Sequence, residues 1–446
     1  MASNEKNDLT QGSVVKQLIR YSIPLITTSV FQALYSMVDL FLAGKYIGST
    51  GISAINNASQ IITIVTNVII GLSLGGNILI GQYFGSKDEE NQQKTTGTFF
   101  TLFFILGIAI SAACFIFTRP ILQATGAPAL NEAAAYLKIC SIGLFFVLGY
   151  NAFSAVLRAV GNSKWPMYFI LTATIVNIIL DMLLMGYMNM GTAGAALATT
   201  IAQGISFILA LIYLLKHQSI FKFSIASLQI RIDKLKQLLK IGFPCSIQWT
   251  VAGISWLTVT FIINSYGVDV SAGNGISNKI RDFTLLFINS MSASAGTMIA
   301  QTLGAKLYDR AKQVMYEAMR LSIIITVVMI ILVQLFAPAL IGIFTNDPAV
   351  TTAGVLNLRI EIFGQLAYAC FLIYHSLATG AGHTPFVLFS SFVNCIIFRM
   401  TLSIIFNHLF GLPGLYVALA FAPFTSIPLG MIYTRSNIWR KSMVAT

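Results

Sequence analysis

Charge is what this sequence has least of. Asp, Glu, Lys and Arg make up 9% of the chain, where a soluble domain of average make-up has roughly 25%. Hydrophobic residues make up 56%. That excludes an ordinary soluble domain. Cysteine is nearly as thin: Cys114, Cys140, Cys245, Cys370 and Cys395 are odd in number, scattered, and all inside apolar runs. Such spacing excludes a disulfide framework or a zinc site, so apolar packing is expected of all five. The four histidines, His217, His375, His383 and His408, are equally dispersed. No Gly-Lys-Ser/Thr phosphate loop occurs. The glycine-rich strings GLSLGGN (71–77) and GTAGAALATT (191–200) sit within apolar runs, where small residues let helices pack closely. ATP hydrolysis on this chain, an enzymatic activity and a cofactor are therefore not expected. The tail before Tyr21 has no apolar core and no small-residue cleavage site, so it is read as an anchor's preface, not a removable signal.

What is present in quantity is apolar length. Runs of about 20 residues span a bilayer core as helices. They fall near 21–45, 53–80, 95–117, 132–157, 165–186 and 193–215, then near 241–265, 272–300, 320–341, 351–377, 385–408 and 414–434. Twelve spans put both termini on one side. That side collects Lys6, Lys16, Arg20, Lys87, Lys94, Arg158, Lys164, Lys216, Lys222, Arg231, Lys234, Lys236, Lys240, Lys306, Arg310, Lys312, Arg320, Arg435, Arg440 and Lys441. These are 20 of the 27 basic residues; the other side holds few, chiefly Lys45 and Arg119. The positive-inside rule makes the basic side cytoplasmic. The net charge of +12 is thus a topology signal, and no nucleic-acid partner is expected.

The chain is also written twice, at an offset of about 220 residues. LIRYSIPL (18–25) answers LLKIGFPC (238–245), with Pro24 and Pro244 early in each helix. KYIG (45–48) answers NSYG (264–267), IGQYFGSK (80–87) answers IAQTLGAK (299–306), and AVGNSKWP (159–166) answers TGAGHTPF (379–386). Parallel six-helix repeats are a recurring transporter plan, with substrate held between the halves. The expected fold is an all-α integral membrane protein: twelve transmembrane helices in two six-helix bundles around a central cavity. The expected divisions are a cytoplasmic tail (1–20), an N-lobe (21–215), a cytoplasmic linker (216–240), a C-lobe (241–434) and a second tail (435–446).

Two carboxylates interrupt the apolar spans of the first half: Asp39 in YSMVDLFLAG (35–44) and Asp181 in TIVNIILDMLLMG (174–186). A carboxylate at helix centre costs about 2.5–3.5 kcal/mol even on the mild insertion scale, and such residues mark ion or substrate paths by default. Tyr35 and Asp39 are four apart, as are Asn177 and Asp181, so each pair shares a helix face. With amide and hydroxyl oxygens nearby, the two acids could hold a proton or a Na⁺, and would titrate as a pair. The bland alternative is interhelical hydrogen bonding. The second half differs: Val259 stands near the position of Asp39, and Arg399 near that of Asp181, with Asn394 retained upstream. Lys279, Arg281 and Asp282 lie near one end of the eighth span, and Arg359 and Glu361 near the start of the tenth. These five could pair locally, Arg281 with its neighbour Asp282 being the weakest case, and snorkelling to the interface is the expectation.

YSMVDLFLAGKYIG, IGQYFGSK, LRAVGNSKWP, VNIILD and GAALATT, in order within the duplicated frame, resemble the multidrug and toxic compound extrusion (MATE) transporters, in particular their DinF-like branch. The resemblance runs from about Leu18 to Tyr433. It implies export of cationic amphipathic drugs or dyes against an inward H⁺ or Na⁺ gradient, by a monomer in the plasma membrane. It implies ion coupling at Asp39, Asn177, Asp181 and Thr199, with Ala195 supplying a backbone carbonyl. Na⁺, if used, would sit at Asp39, Asn177, Asp181 and Thr199. Tyr35 and Asn151 match polar members of the N-lobe cavity network, and Pro24 matches a proline that permits bending of the first helix. Members of the NorM type carry a further acidic site in the second half; here the seventh span has no acid, which favours coupling in the first half.

Two rivals follow from the same residues. A lipid-linked saccharide flippase of the same broad superfamily would be expected to show a strongly basic cavity and often fourteen spans. A receptor or scaffold without transport would leave the duplication and the buried acids unexplained.

Overall fold

The computed structural model describes residues 8–125, 129–217, 221–222 and 227–444. Lys6 and parts of both expected tails and of the linker lie outside them. The helices are α1 (Val14–Tyr46), α2 (Ser49–Gly85), α3 (Glu89–Ile116), the short α4 (Thr118–Ala124), α5 (Leu130–Ala159), α6 (Lys164–Asp181) and α7 (Gly191–Lys216). Then come α8 (Ile232–Asn264), α9 (Val268–Gly304), α10 (Tyr308–Gly342), α11 (Pro348–Glu361), α12 (Gly364–Ala381), α13 (Thr384–Phe392), α14 (Thr401–Phe421) and α15 (Ser426–Arg435). Their starts follow local chemistry. Asp88 caps α3 by accepting Asn91 N–H at 3.0 Å, ahead of Glu89 and Glu90 in the first turn, where acids suit the helix dipole. Asp347 caps α11 with Pro348 at its first turn, a position that tolerates the missing N–H.

Among the described residues, ten helical stretches are long and apolar enough to cross a membrane, and the bent pair α11–α12 makes an eleventh. One of the ten is the 52-residue run Thr384–Arg435. At 1.5 Å per residue it far exceeds a bilayer core of about 30 Å. It breaks at Gly411, whose φ of 64° and ψ of −149° are not helical. The run is therefore two spans, and the total is twelve, as the sequence predicts.

Backbone geometry repeats with the sequence. Gly411 answers Gly191 (φ 57°), which separates the two spans on either side of it in the first half. Gly48 answers Gly267, and the non-glycine residues Lys87 (φ 58°) and Lys306 (φ 59°) answer each other. After each of those lysines the same cap closes the helix: Lys87 N–H reaches Phe84 O and Asp88 N–H reaches Tyr83 O, as Lys306 reaches Leu303 O and Leu307 reaches Thr302 O. This double bond around a left-handed residue is the Schellman arrangement. Gly161 and Gly382 repeat it, which aligns AVGN with GAGH. Beside them, Asn162 Nδ2 donates to Tyr213 OH at 3.2 Å, and His383 Nδ1 lies 2.7 Å from Tyr433 OH.

The chain forms two compact units. One contains Ile23–Gly242 and is organised around α5, which packs along α7, α2 and α3. The other contains Leu9–Ser22 and the chain from Phe243 onward, and is organised around α9, which packs along α10, α11 and α12. Both α1 and α8 stay helical through their internal prolines, Pro24 and Pro244.

Two details differ from the expected spans. The tenth is not one rod: α11 and α12 meet at 46°. Gly364 sits so close to Ala420 that an added Cβ would fall 2.7 Å from its Cα and O. At the break, Gln365 N–H bonds Ile362 O and Leu366 N–H bonds Phe363 O, a tightened turn imposed by that contact. The fifth and eleventh spans change gauge: π-helix follows Asp181 (Met182–Tyr187) and covers Val393–Met400. Asn177 and Asp181 are four apart, but Asn394 and Arg399 are five apart. The i→i+5 winding of a π-turn absorbs the extra residue.

Candidate functional site

Within the first unit, α1 carries Tyr35 and Asp39, α6 carries Asn177 and Asp181, and α7 carries Ala195 and Thr199. Their side chains converge. Tyr35 OH lies 3.0 Å from Thr199 Oγ1. With the Asn177 amide oriented by its neighbours, its Nδ2 donates to Asp181 Oδ2 at 2.9 Å and its Oδ1 accepts Thr199 N–H at 3.2 Å. The carboxyls of Asp39 and Asp181 are in hydrogen-bonding contact with each other. Two ionised carboxylates repel, so that contact calls for a proton or a cation between them. Asp181 and Asn177 are fully enclosed, at 0% and 1% exposure, while Tyr35, Asp39 and Thr199 are half-buried.

Two residues that sequence reasoning passed over stand in the same place. Tyr136 and Cys140, four apart on α5 and both buried, lie within electrostatic reach of Asp39. Tyr136 also bonds Ser59 of α2. The i,i+4 spacing was visible, but neither residue carries a charge to single the pair out. Leu42, Ala43, Ala58, Leu137, Met185 and Ala195 close an apolar cluster around Tyr136 and Cys140.

Ala195 is buried without residual exposure. An α-helix pairs the N–H of residue 199 with the carbonyl of residue 195, and Asn177 Oδ1 competes for that donor. Asn151 is not drawn into the cluster by a hydrogen bond. Its Nδ2 donates to Val147 O of its own helix at 2.8 Å, about three turns along α5 from Cys140. Pro24 lies two residues beyond the point where α1 passes from one unit to the other, and Thr28 Oγ1 donates to its carbonyl at 2.8 Å.

The oxygens gathered here are of the kind that hold a hard cation. Asp39 Oδ1 and Asp181 Oδ1 are buried and have no hydrogen-bond partner. Carboxylate, amide and hydroxyl oxygens suit hard cations, whereas softer metals select nitrogen and sulfur. Among the described residues no three His, Cys, Asp or Glu side chains form a metal-ion cluster.

The charges of the second half correct the snorkelling expectation. Lys279, Asp282 and Arg359 are exposed, but Arg281 and Glu361 are buried at 7% and 5% exposure and ion-paired through Nη1 and Oε1. Arg399 is buried too, at 6%. Glu361 ends α11 at the break of its span, 14 residues in, not near its start, because Asp347 and Pro348 begin the helix earlier than the hydropathy does. Val259 joins an apolar cluster with Ile263, Leu415 and Leu419.

Twelve spans in two matching halves, with a polar cluster sunk in the first, define a polytopic membrane protein of transporter architecture. The chain belongs to the MatE family, whose model matches residues 24–183 and 244–426, once per half. It is 26% identical over 445 residues to the probable multidrug resistance protein YoeA of Bacillus subtilis (98% of this chain, 96% of that one). To the multidrug export protein MepA of Staphylococcus saprophyticus it is 24% identical over 420 residues (92% and 91%). Its fold matches the outward-facing structure of a multidrug resistance MATE family transporter of the MOP superfamily, with a TM-score of 0.91 and 19% identity over 97% of both chains. The crystal structure of a mutant of the Vibrio cholerae MATE transporter VcmN matches at 0.90 and 20%, over 99% of this chain and 100% of that one.

Proposed function

We propose that the protein is a secondary active multidrug efflux transporter. It exports cationic amphipathic compounds by alternating access, in exchange for H⁺ or Na⁺ taken up at Asp39 and Asp181. The observation that carries this reading is the contact between two carboxyls from different helices, enclosed by Asn177, Thr199 and an apolar wall. A lone structural hydrogen bond needs neither the second acid nor the expense of burying it. Full-length relatives named as multidrug resistance and export proteins support the substrate class.

In this mechanism, loading removes the repulsion between the acids and favours the arrangement that releases drug. Linkage makes the effect reciprocal: drug binding weakens ion binding by the same factor. For Na⁺, the ligands are the Asp39 and Asp181 carboxylates, Asn177 Oδ1, Thr199 Oγ1 and the Ala195 carbonyl. For H⁺, the proton lies between the carboxyls. Bending of α1 at Pro24, which lacks the N–H that would bond residue 20, lets Tyr35 and Asp39 move relative to α6 and α7. The protein works as a monomer in the plasma membrane with both termini in the cytoplasm, in keeping with the basic cytoplasmic connections.

The test is efflux of a fluorescent cationic dye from proteoliposomes under separately imposed H⁺ and Na⁺ gradients. Gradient-driven efflux by the wild type that Asp39→Asn abolishes, with the variant still folded, is expected. Efflux indifferent to both gradients, or unchanged in the variant, removes the coupling role.

A further inference from the structure

The second unit holds a buried charge cluster that the coupling mechanism does not use. Arg281 of α9, Glu361 at the end of α11 and Arg399 in the π-segment after α13 are each more than nine-tenths buried. Both guanidiniums lie against one indole: Arg281 Cζ is 4.5 Å and Arg399 Cζ 4.8 Å from the Trp256 ring centroid. Arg281 is paired with Glu361. Arg399 is not paired. Its Nη2 reaches Asn394 Oδ1 at 3.5 Å, the outer limit of a hydrogen bond, and its Nη1 has no partner. Asn394 is itself held by Ala422 O at 2.6 Å, so it cannot turn further toward the arginine without losing that bond.

Two guanidiniums face one carboxylate. Including the exposed neighbours Lys279 and Asp282 leaves the same single positive excess. A closed structural network would consume its donors, because an unpaired buried charge costs several kcal/mol and a guanidinium offers five N–H groups in a fixed fork. The ring face of Trp256 attracts the cations but accepts no N–H in the guanidinium plane. Glu361 Oε2 is buried without a hydrogen-bond partner as well, but it belongs to the one carboxylate already counted, and it makes no bond to Arg399; what the cluster lacks is one negative charge.

We propose that the second unit contains a monovalent-anion site centred on the free edge of Arg399. The charge is balanced there either by chloride or by the carboxylate of a bound small molecule. Since Arg399 stands in the repeat where Asp181 stands in the first half, the two halves of one duplicated frame bind ions of opposite sign. Glu361 neutralises Arg281 and sets the strength of the site, so its removal strengthens anion binding.

The test is thermal unfolding of the full-length protein in nanodiscs at constant ionic strength, with gluconate replaced stepwise by chloride or by benzoate. The wild type is expected to show a saturable rise in Tm with one or both anions, by linkage. Chloride alone acting identifies an ion site; benzoate alone identifies a substrate carboxylate. Arg399→Gln is expected to lose the anion-dependent increment, and Glu361→Gln to lower the half-saturating concentration by about tenfold. Equal melting of the wild type in all three salts overturns the proposal whether or not either variant folds. An increment that survives Arg399→Gln, or a Glu361→Gln affinity that falls, also overturns it.

Discussion

The Tyr35 hydroxyl, on α1, lies 3.0 Å from Thr199 Oγ1, on α7, and so joins two helices through residues 164 apart in the sequence. The contact lets the ion be identified. Sodium needs the Thr199 oxygen as a ligand, whereas a proton between Asp39 and Asp181 does not. Under the proposed mechanism with Na⁺ as the ion, Thr199→Val lowers Na⁺-driven dye efflux about tenfold, the loss of one charge-assisted bond. With H⁺ as the ion, proton-driven efflux in the same variant stays close to wild type. Tyr35→Phe removes only the hydroxyl and costs about 1 kcal/mol of stability. Parallel gradient assays on both variants read the difference.

Asn177 is the fixed point of the site, since one amide serves both Asp181 and the Thr199 backbone. Asn177→Leu fills the same space but leaves the Asp181 Oδ2 that the amide served without its donor; the Thr199 N–H keeps the helical Ala195 carbonyl. The expected loss is about 1–3 kcal/mol for the group left unsatisfied, seen as a lowered Tm together with lost coupling. Asp181→Asn keeps the amide network and removes one acid. It should therefore fold with near-normal Tm yet fail to couple efflux to either gradient. A Tm loss in Asp181→Asn as large as in Asn177→Leu would mean that the acid serves structure, not coupling.

Much of this was legible beforehand, for a physical reason. Bilayer thickness imposes span length, so apolar runs disclosed twelve crossings, and the repeat disclosed their grouping. Asp39 and Asp181 stood out because the membrane makes acids expensive. The uncharged Tyr35, Asn177 and Thr199 were legible only beside those acids and through the family resemblance; other contacts made by uncharged residues were not. Tyr136 and Cys140 look like packing on any hydropathy scale. The bend between α11 and α12 arises where Gly364 presses on Ala420, a tertiary contact with no local signature. Arg281 and Glu361 were visible as charges, but their 80-residue separation hid their pairing, and snorkelling was the reading for each alone. Pairing with a partner removes the reason to snorkel.

Outside the spans, Asp88 tests a helix cap. Its carboxylate accepts from the Asn91 side chain and backbone, which holds its pKa below the usual carboxylate value. A depressed folded pKa contributes stability above the unfolded value and loses it as pH falls through the folded one. Protection of the first-turn amides of α3 against hydrogen exchange should therefore fall in the acid range. Asp88→Asn, an equally good cap, keeps that protection at neutral pH and loses the acid-dependent part. Asp88→Ala lowers it at every pH by about 1 kcal/mol.

Gly411 carries the most specific backbone prediction. Its φ of 64° with ψ of −149° lies close to a region that only glycine occupies comfortably. Space is not the obstacle, since the nearest atom to an added Cβ is Tyr266 Oη at 3.8 Å. Any loss in Gly411→Ala therefore reports conformation, and about 1–3 kcal/mol is expected. Gly253 is the matched control: it is helical, and an added Cβ there meets nothing within 4 Å. Gly253→Ala should stabilise slightly, by up to about 1 kcal/mol, through helix propensity. A melt in which both alanine variants behave alike would mean that the chain does not turn at Gly411. The stretch from Thr384 to Arg435 would then have to be one continuous helix, too long for a single crossing, and the count of twelve would fail with it.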